Sequence, residues 1–408
     1  MRQCCCYIEF NKLMAKVVVG LSGGVDSSVA AYLLKEQGYD VTALFMINWH
    51  DTAGTLSGDC PWHDDLVFAR LVAQKLDIPF HTTDLSEPYR QRVVDYMFAE
   101  YEKGRTPNPD VLCNREIKFE LFIEEAVKLG ADLVATGHYC RKEEENVNGH
   151  TVYRLLSGKD TSKDQSYFLC QLSQHQLARA LFPLGSISKA RVREIAAGAG
   201  LATAQKKDSQ GICFVGKVDL PLFLQQKLQP AKGEIIEIPR GFYRNLPELG
   251  HMPEKIGGHE NFCRPYSYLP DDGIRTGSHN GAWFYTVGQR KGLNVGGRKE
   301  PVFVVATDIE KNIVYSGEGH SHRGLNRRGL FISSPDIHWI RDDLRLQHGQ
   351  YADFLVRIRY RQPLQKARLF MDRRGIFIIF ENDQRGIAAG QFAAWYLDDE
   401  LIGSGVIG

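Results

Sequence analysis

The stretch KVVVGLSGGVDSSVAAYLL, residues 16–34, constrains the fold more than any other part of the chain. Its opening valines read as a strand buried on both faces, and the apolar spacing after the turn reads as a helix. Gly20, Gly23 and Gly24 permit backbone angles at which amides converge on an anion. Ser22, Ser27 and Ser28 add hydroxyl donors, and the helix start favours negative charge. Asp26 is out of place in such a cradle, because a carboxylate repels phosphate. It reads either as a magnesium ligand or as a helix cap. The Gly-Lys-Ser/Thr ending of a Walker loop is absent.

The pattern continues to about residue 140. VTALFMINW and PFHTTDL are extended, HDDLVFARLVAQKLD and YRQRVVDYMFAEYEKG are helical, and NREIKFELFIEEAVKLG leads to the strand ADLVATGHY. Strands alternating with helices predict a parallel sheet covered on both faces. Residues 165–205 read as helical. Around GEIIEI the strands shorten, and residues 240–282 carry Gly, Pro, Tyr and His without a period, as a long loop or insertion. VFVVATDIEKNIVYSG predicts a hairpin turning near Lys311 and Asn312, and the last eighty or so residues predict a small antiparallel barrel.

A chain of 408 residues exceeds one ordinary core, so several domains are expected: a loose tail over 1–13, an α/β catalytic domain over 14–215, a central domain over 216–305 with an insertion near 239–283, and a β-barrel over 306–408. A formal net charge of +1 means that any nucleic-acid partner must be met by a local basic surface. No apolar run is long enough for a membrane span, and the first residues lack the apolar core of a signal peptide. Nine cysteines without a framework predict free thiols in a reducing cytoplasm. Cys4, Cys5 and Cys6 are adjacent and do not suit one tetrahedral ion; Cys60 and His63 form a near pair without further ligands.

Two other cysteines stand out. Cys113, in GRTPNPDVLCNREIKF, follows a proline-stiffened turn just before a predicted helix, where dipole and amides lower a thiol pKa. Cys213, in KKDSQGICFVG, has Gly211 beside it and Lys206 and Lys207 upstream. The glycine-serine string resembles the PP-loop of the ATP pyrophosphatases. GLSGGVDSSVAA, LFMINW, GRTPNPDVLCNREIKF, ATGHY, KDQSYFL, DSQGICF, TVGQRKGL and RIRYRQ, in that order, resemble the tRNA-specific 2-thiouridylase family from about Val17 to the C-terminus.

The resemblance implies a HUP/PP-loop catalytic domain, a small central domain and a C-terminal antiparallel β-barrel that binds tRNA. It implies ATP-dependent replacement of the wobble uridine C2 oxygen by sulfur, with magnesium and with a cysteine desulfurase or sulfur relay as donor. Gly20, Leu21, Ser22, Gly23, Gly24, Val25, Asp26 and Ser27 match the ATP loop, with Met46 and Gly137 as further nucleotide contacts. Asn108, Pro109 and Asp110 match the stretch that meets the target base, and Asp110 is placed to move a proton or orient that base. Cys113 matches the nucleophile and Cys213 the persulfide carrier, the two passing through a transient disulfide. His138, Lys163, Asp164, Gln165, Arg359, Tyr360 and Gln391 match tRNA contacts at the anticodon stem-loop. Gln210 stands where the family usually has threonine. In FLVRIRYRQ, strand period puts Arg357, Arg359 and Arg361 on one face as a phosphate-binding row. The alternatives are another PP-loop enzyme, such as an ATP-dependent amidating synthetase, or a nucleotide-binding RNA module without catalysis. An iron-sulfur thiolase needs a CxxC, which is absent.

Overall fold

The computed structural model describes residues 15–50, 62–208, 211, 213–215, 219–245 and 257–408. The tail, Cys60 and Gln210 lie outside the described residues. Two compact units are present.

The first unit comprises Met1–Asp95, Pro109–Asp219 and Asp399–Ile402. Its centre is a parallel sheet in the order β3-β2-β1-β4-β7. The strands are β1 (Lys16–Gly20), β2 (Asp40–Ile47), β3 (Phe80–Asp84), β4 (Leu133–Ala135) and β7 (Ala180–Leu181). Helix α1 (Val25–Glu36) carries the chain from β1 to β2, and α2 (Trp62–Leu76) from β2 to β3. Val17, Val18 and Val19 are completely buried. Each stabilises the fold by up to about 1.5–3 kcal/mol. Val29, Ala30 and Leu34 of α1 share one core with Ala69, Val72 and Ala73 of α2.

Strand order reverses between β1 and β4, which are neighbours in space but not in sequence. Such a switch point opens a crevice at the carboxyl ends of the strands, where ligands of open α/β sheets bind. Residues 21–24 and 136–139 leave β1 and β4 at that edge.

The segment expected to be helical over 165–205 is interrupted by β7, which adds a fifth strand beside β4. Phe182 precedes Pro183, and a residue before proline is biased to extended angles. A hairpin also appears where no element was expected: β5 (Cys140–Val147) pairs with β6 (His150–Ser157). Its turn is Asn148-Gly149, both with positive φ, the pairing that two-residue hairpins favour.

The second unit comprises Tyr96–Asn108, Leu220–Asp398 and Gly403–Gly408. One sheet has the order β10-β11-β8-β9, from β8 (Gly233–Glu237), β9 (Ile274–His279), β10 (Val302–Asp308) and β11 (Ile313–Glu318). The β10–β11 hairpin turns at Asn312, φ +52°, as its sequence predicts. The expected domain boundary at 305/306 falls inside β10, so the central sheet runs on to Glu318. Within the supposed insertion, β9 pairs with β8 as an edge strand; its exposed, polar residues give no alternating signal. A second sheet is antiparallel, in the order β12-β16-β15-β14-β17, from β12 (Asn326–Ser333), β14 (Tyr351–Arg357), β15 (Gln365–Met371), β16 (Gly375–Arg385) and β17 (Phe392–Leu397), with Ile337–Trp339 as β13 pairing with residues 403–405. Trp395 is its largest fully buried side chain.

Candidate active site

The turn after β1 is tied by its own serines. The Ser22 amide donates to Ser27 Oγ at 3.1 Å, and the two hydroxyl oxygens lie 3.1 Å apart. Ser27 Oγ and Ser28 Oγ donate to the Gly24 carbonyl at 3.2 and 2.7 Å. Gly23 has φ +73°, and a Cβ there would lie 2.1 Å from the Asp65 carbonyl oxygen, so only glycine fits. Gly24 precedes α1 without a side-chain cap, which leaves the helix start to the backbone. Asp26 is not the cap.

Asp26 instead accepts from Tyr139 Oη at 2.6 Å, and Lys189 Nζ lies 2.8 Å from both its oxygens. Lys189 opens α4 (Lys189–Gly198) and also pairs with Asp208 at 2.8 Å. Lys163 and Arg193 converge on the same Asp208 carboxylate at 3.2 and 2.9 Å. Burial works against ionisation of Asp208, but Lys189 and Lys163 hold its carboxyl below the ordinary value. The sequence reading missed Tyr139, Lys189 and Asp208, which lie far from the loop in sequence.

The second cluster is built on a helical run over 109–128, here α3. It begins as Pro109–Leu112, widens to a π-helix over Cys113–Leu121 and returns to α over Phe122–Lys128. In a π-helix the hydrogen bond runs to the fifth residue, so residues five apart stack on one face. Cys113 and Lys118 are five apart. Cys213 joins them from a segment in which its amide donates to Asp110 Oδ1 at 3.0 Å and its carbonyl accepts from Tyr89 Oη at 2.6 Å. Phe214, φ +66°, sets its ring 6.0 Å from Tyr89 and 5.4 Å from the Lys118 ammonium.

The two thiols lie within reach of each other. The neighbouring Cys113 thiol, against burial and with help from Lys118, brings Cys213 down to about 7. Burial pushes Cys113 well above the ordinary thiol range. The expectation that Cys113 is the acidified thiol is thus reversed: the helix starts at Pro109, Cys113 lies inside it and is completely buried, and desolvation outweighs the dipole. Burial likewise raises Asp110, while the Cys213 amide and Lys118 pull it back.

Residues 136–139 connect the clusters. Gly137 lies so close to the turn that a Cβ would sit 2.8 Å from the Ser27 nitrogen. His138 is buried against Phe119 and Phe182, its Nδ1 2.7 Å from Thr136 Oγ1, and burial and Lys118 lower its pKa well below the ordinary value. Tyr139 reaches Asp26.

Several expected RNA contacts are turned inward. His138 is 8% exposed. Asp164 is buried and accepts from the Gly158 and Ser166 amides, both at 3.1 Å, and Gln165 Oε1 accepts from the Tyr139 amide at 3.0 Å. The arginine row is broken, because β14 ends at Arg357 and the chain turns over 358–362. Arg357 is buried with its guanidinium over the Tyr396 ring, whereas Arg359 is exposed and donates to the Gly386 carbonyl at 2.7 Å. Tyr360 is half-buried. Gln391 Nε2 donates to the carbonyls of Thr106 and Pro107 at 2.8 and 3.1 Å, and so braces the proline turn that leads to Asn108. Met46, at the end of β2, is half-buried. Among the described residues, His259, Glu260 and Asp372 cluster as metal-type ligands, but both carboxylates pair with the Arg374 guanidinium.

Comparison with known proteins agrees with this division of the chain. A family model described as tRNA methyl transferase HUP domain matches residues 15–217, a PRC-barrel domain model matches 268–318, and an aminomethyltransferase beta-barrel domain model matches 329–407. A tRNA-specific 2-thiouridylase MnmA of Flavobacterium johnsoniae is 57% identical over 97% of this chain and 100% of its own. The protein of the same name from Christiangramia forsetii is also 57% identical, over 97% and 100%. That of Shouchella clausii is 44% identical, over 96% of each. The chain therefore belongs to the tRNA-specific 2-thiouridylase family.

Proposed function

We propose that this protein replaces the C2 oxygen of the wobble uridine of tRNA by sulfur at the expense of ATP, with the thiols of Cys113 and Cys213 as the transfer pair. The observation that carries the reading is the meeting of two cysteines 100 residues apart in sequence, with the Cys213 amide donating to Asp110 at 3.0 Å. The relatives' name, tRNA-specific 2-thiouridylase, supports the same substrate. An amidating synthetase has no use for the pair.

The chemistry follows from poor reactivity. A uridine C2 carbonyl is a weak electrophile, and its oxygen is a poor leaving group. Adenylation converts that oxygen to AMP, with pyrophosphate leaving and the N3 proton passing to a base, the role we give Asp110. The terminal sulfur of a Cys213 persulfide then forms a bond to C2, and AMP departs. The Cys113 sulfur attacks Cys213 Sγ, the S–S bond to the transferred sulfur breaks, and its electron pair returns to the base, which takes a proton at N3. The products are 2-thiouridine and a Cys113–Cys213 disulfide, which a cellular dithiol reduces before the next turnover.

The residues assigned to ATP, namely Gly20–Ser27, Met46 and Gly137, include the serine-tied turn and the strand ends around it. Asp26 and Asp208 offer the hard oxygen donors that suit magnesium, and Lys189, which now bridges them, is the charge a metal would replace. Held there with ATP, magnesium would supply charge neutralisation for the leaving pyrophosphate. Asn108, Pro109 and Asp110 are assigned to the flipped base, and Lys163, Arg359, Tyr360 and Gln391 to the anticodon arm, with His138, Asp164 and Gln165 shaping that surface from beneath. A cysteine desulfurase or relay protein supplies sulfur, and the work is done in the cytoplasm. Among the described residues no helix is long and apolar enough to cross a membrane. The domains are assigned as 15–217, a central one ending at 318, and a barrel from about 326.

The direct test is nucleoside mass spectrometry after incubation with tRNA, ATP and a persulfide donor. The reading requires 2-thiouridine that disappears in Cys113→Ser and in Cys213→Ser. A near-normal yield from either variant sinks the two-thiol scheme.

A further inference from the structure

Among the described residues, Lys118 is the charged side chain near the thiol pair that the mechanism above leaves unused. It is half-buried, and its ammonium and the Cys213 sulfur act directly on each other. Among the described residues no carboxylate comes within ion-pair distance of it; Asp110 acts on it only through its field. The Phe214 ring, 5.4 Å away, covers another side. An ammonium turned away from water needs a counter-charge or hydrogen-bond acceptors. Here those are sulfur atoms.

The backbone is also bent to this arrangement. Over Cys113–Leu121 the helix gives up α geometry for π geometry. π-Geometry is rare in helices and is frequent at functional sites. Its effect here is to bring position 118 onto the face of position 113. In an unbroken α-helix these two residues would point apart, because residues three and four apart are the ones that align.

We propose that Lys118 is a further catalytic residue of this reaction: it stabilises the anion on the Cys213 side chain, first the thiolate that accepts sulfur and then the terminal persulfide sulfur that attacks C2. The proposal rests on the thiolation reading above. Once that terminal sulfur is bonded to C2, the Cys213 side chain carries no charge. Lys118 then faces Cys113, whose S–H must lose its proton as it attacks Cys213 Sγ and releases the base. One cation thus serves each sulfur in turn. Among the described residues the other groups facing the pair are Asp110 of α3, which opposes negative charge on sulfur, and Tyr89, which stays a neutral phenol; neither can replace the ammonium. His138 is kept neutral and adds none.

The test is the pH dependence of native Cys213 alkylation, read on its own peptide by mass spectrometry. Wild type should show a midpoint near 7. Lys118→Met keeps the length and removes the charge, and should move the midpoint up by about one pH unit, part of the way to an ordinary thiol, because the Cys113 contribution remains. Lys118→Arg should restore most of the difference, and ATP binding should survive in both. A Lys118→Met midpoint equal to wild type overturns the proposal. So does a wild-type midpoint at the ordinary thiol value, which keeps the test decisive if the methionine variant does not fold. Failure of the thiolation reading shows separately, as wild-type protein that yields no 2-thiouridine whatever its alkylation midpoint.

Discussion

Gly137→Ala isolates the contact between the loop after β4 and the turn after β1. The glycine is not in a left-handed conformation, so alanine brings no backbone strain of its own. The difficulty is space: the new methyl would lie 2.8 Å from the Ser27 nitrogen, 2.9 Å from the Asp26 carbonyl carbon and 3.0 Å from Asp26 Cβ. Ordinary contact begins at 3.4 Å, so the two segments must part by roughly 0.6 Å. The first atoms met are backbone, which cannot swing aside as a long side chain can. Overpacking of this kind costs about 1–3 kcal/mol. If the nucleotide turn takes up the shift, ATP affinity falls about 5- to 150-fold. Calorimetric titration with ATP measures the loss, and thermal unfolding separates it from general instability. Gly198→Ala is the control, since nothing lies within 4 Å of a Cβ placed there. As the last residue of α4 it should leave stability unchanged or raise it by up to about 0.5 kcal/mol. Wild-type ATP affinity in Gly137→Ala would refute the claim that this contact shapes the cradle.

Arg357→Ala and Arg359→Ala should part company. Loss of the buried Arg357, stacked on Tyr396, should lower stability by about 1–2 kcal/mol in urea unfolding. Arg359→Ala should leave stability nearly unchanged but reduce the salt slope of tRNA binding by about one; an unchanged slope removes Arg359 from the interface. A lowered thiol pKa puts the anion at lower pH, so Cys213 should begin to label as pH rises through about 7, while Cys113 stays protonated and unlabelled. Earlier labelling of Cys113 would contradict the electrostatics of the pair.

The strand–turn–helix of the first unit was legible because its signals are local: valines, glycines and an apolar helical period lie within twenty residues. The two cysteines were legible as words in separate motifs, but their division of labour was not. That depends on burial and on where α3 starts, and the wrong thiol looked acidic. Lys118 stood in plain view, yet only π geometry makes it a neighbour of Cys113. Tyr139, Lys189 and Asp208 carry no local mark, because their meeting at Asp26 is made by the sheet order. The β5–β6 hairpin did leave a mark, Asn148-Gly149, but Glu143, Glu144 and Glu145 mask its alternation. The arginine row misled because strand period was carried past the end of β14 into a turn.

The scheme is tested most directly by a single turnover of enzyme carrying one persulfide sulfur on Cys213, mixed with tRNA and ATP and then trapped with an alkylating reagent. Peptide mass spectrometry should find one Cys113–Cys213 disulfide for each 2-thiouridine formed. If 2-thiouridine appears while both cysteines remain open to the reagent, Cys113 does not release the product and the account of the pair is wrong.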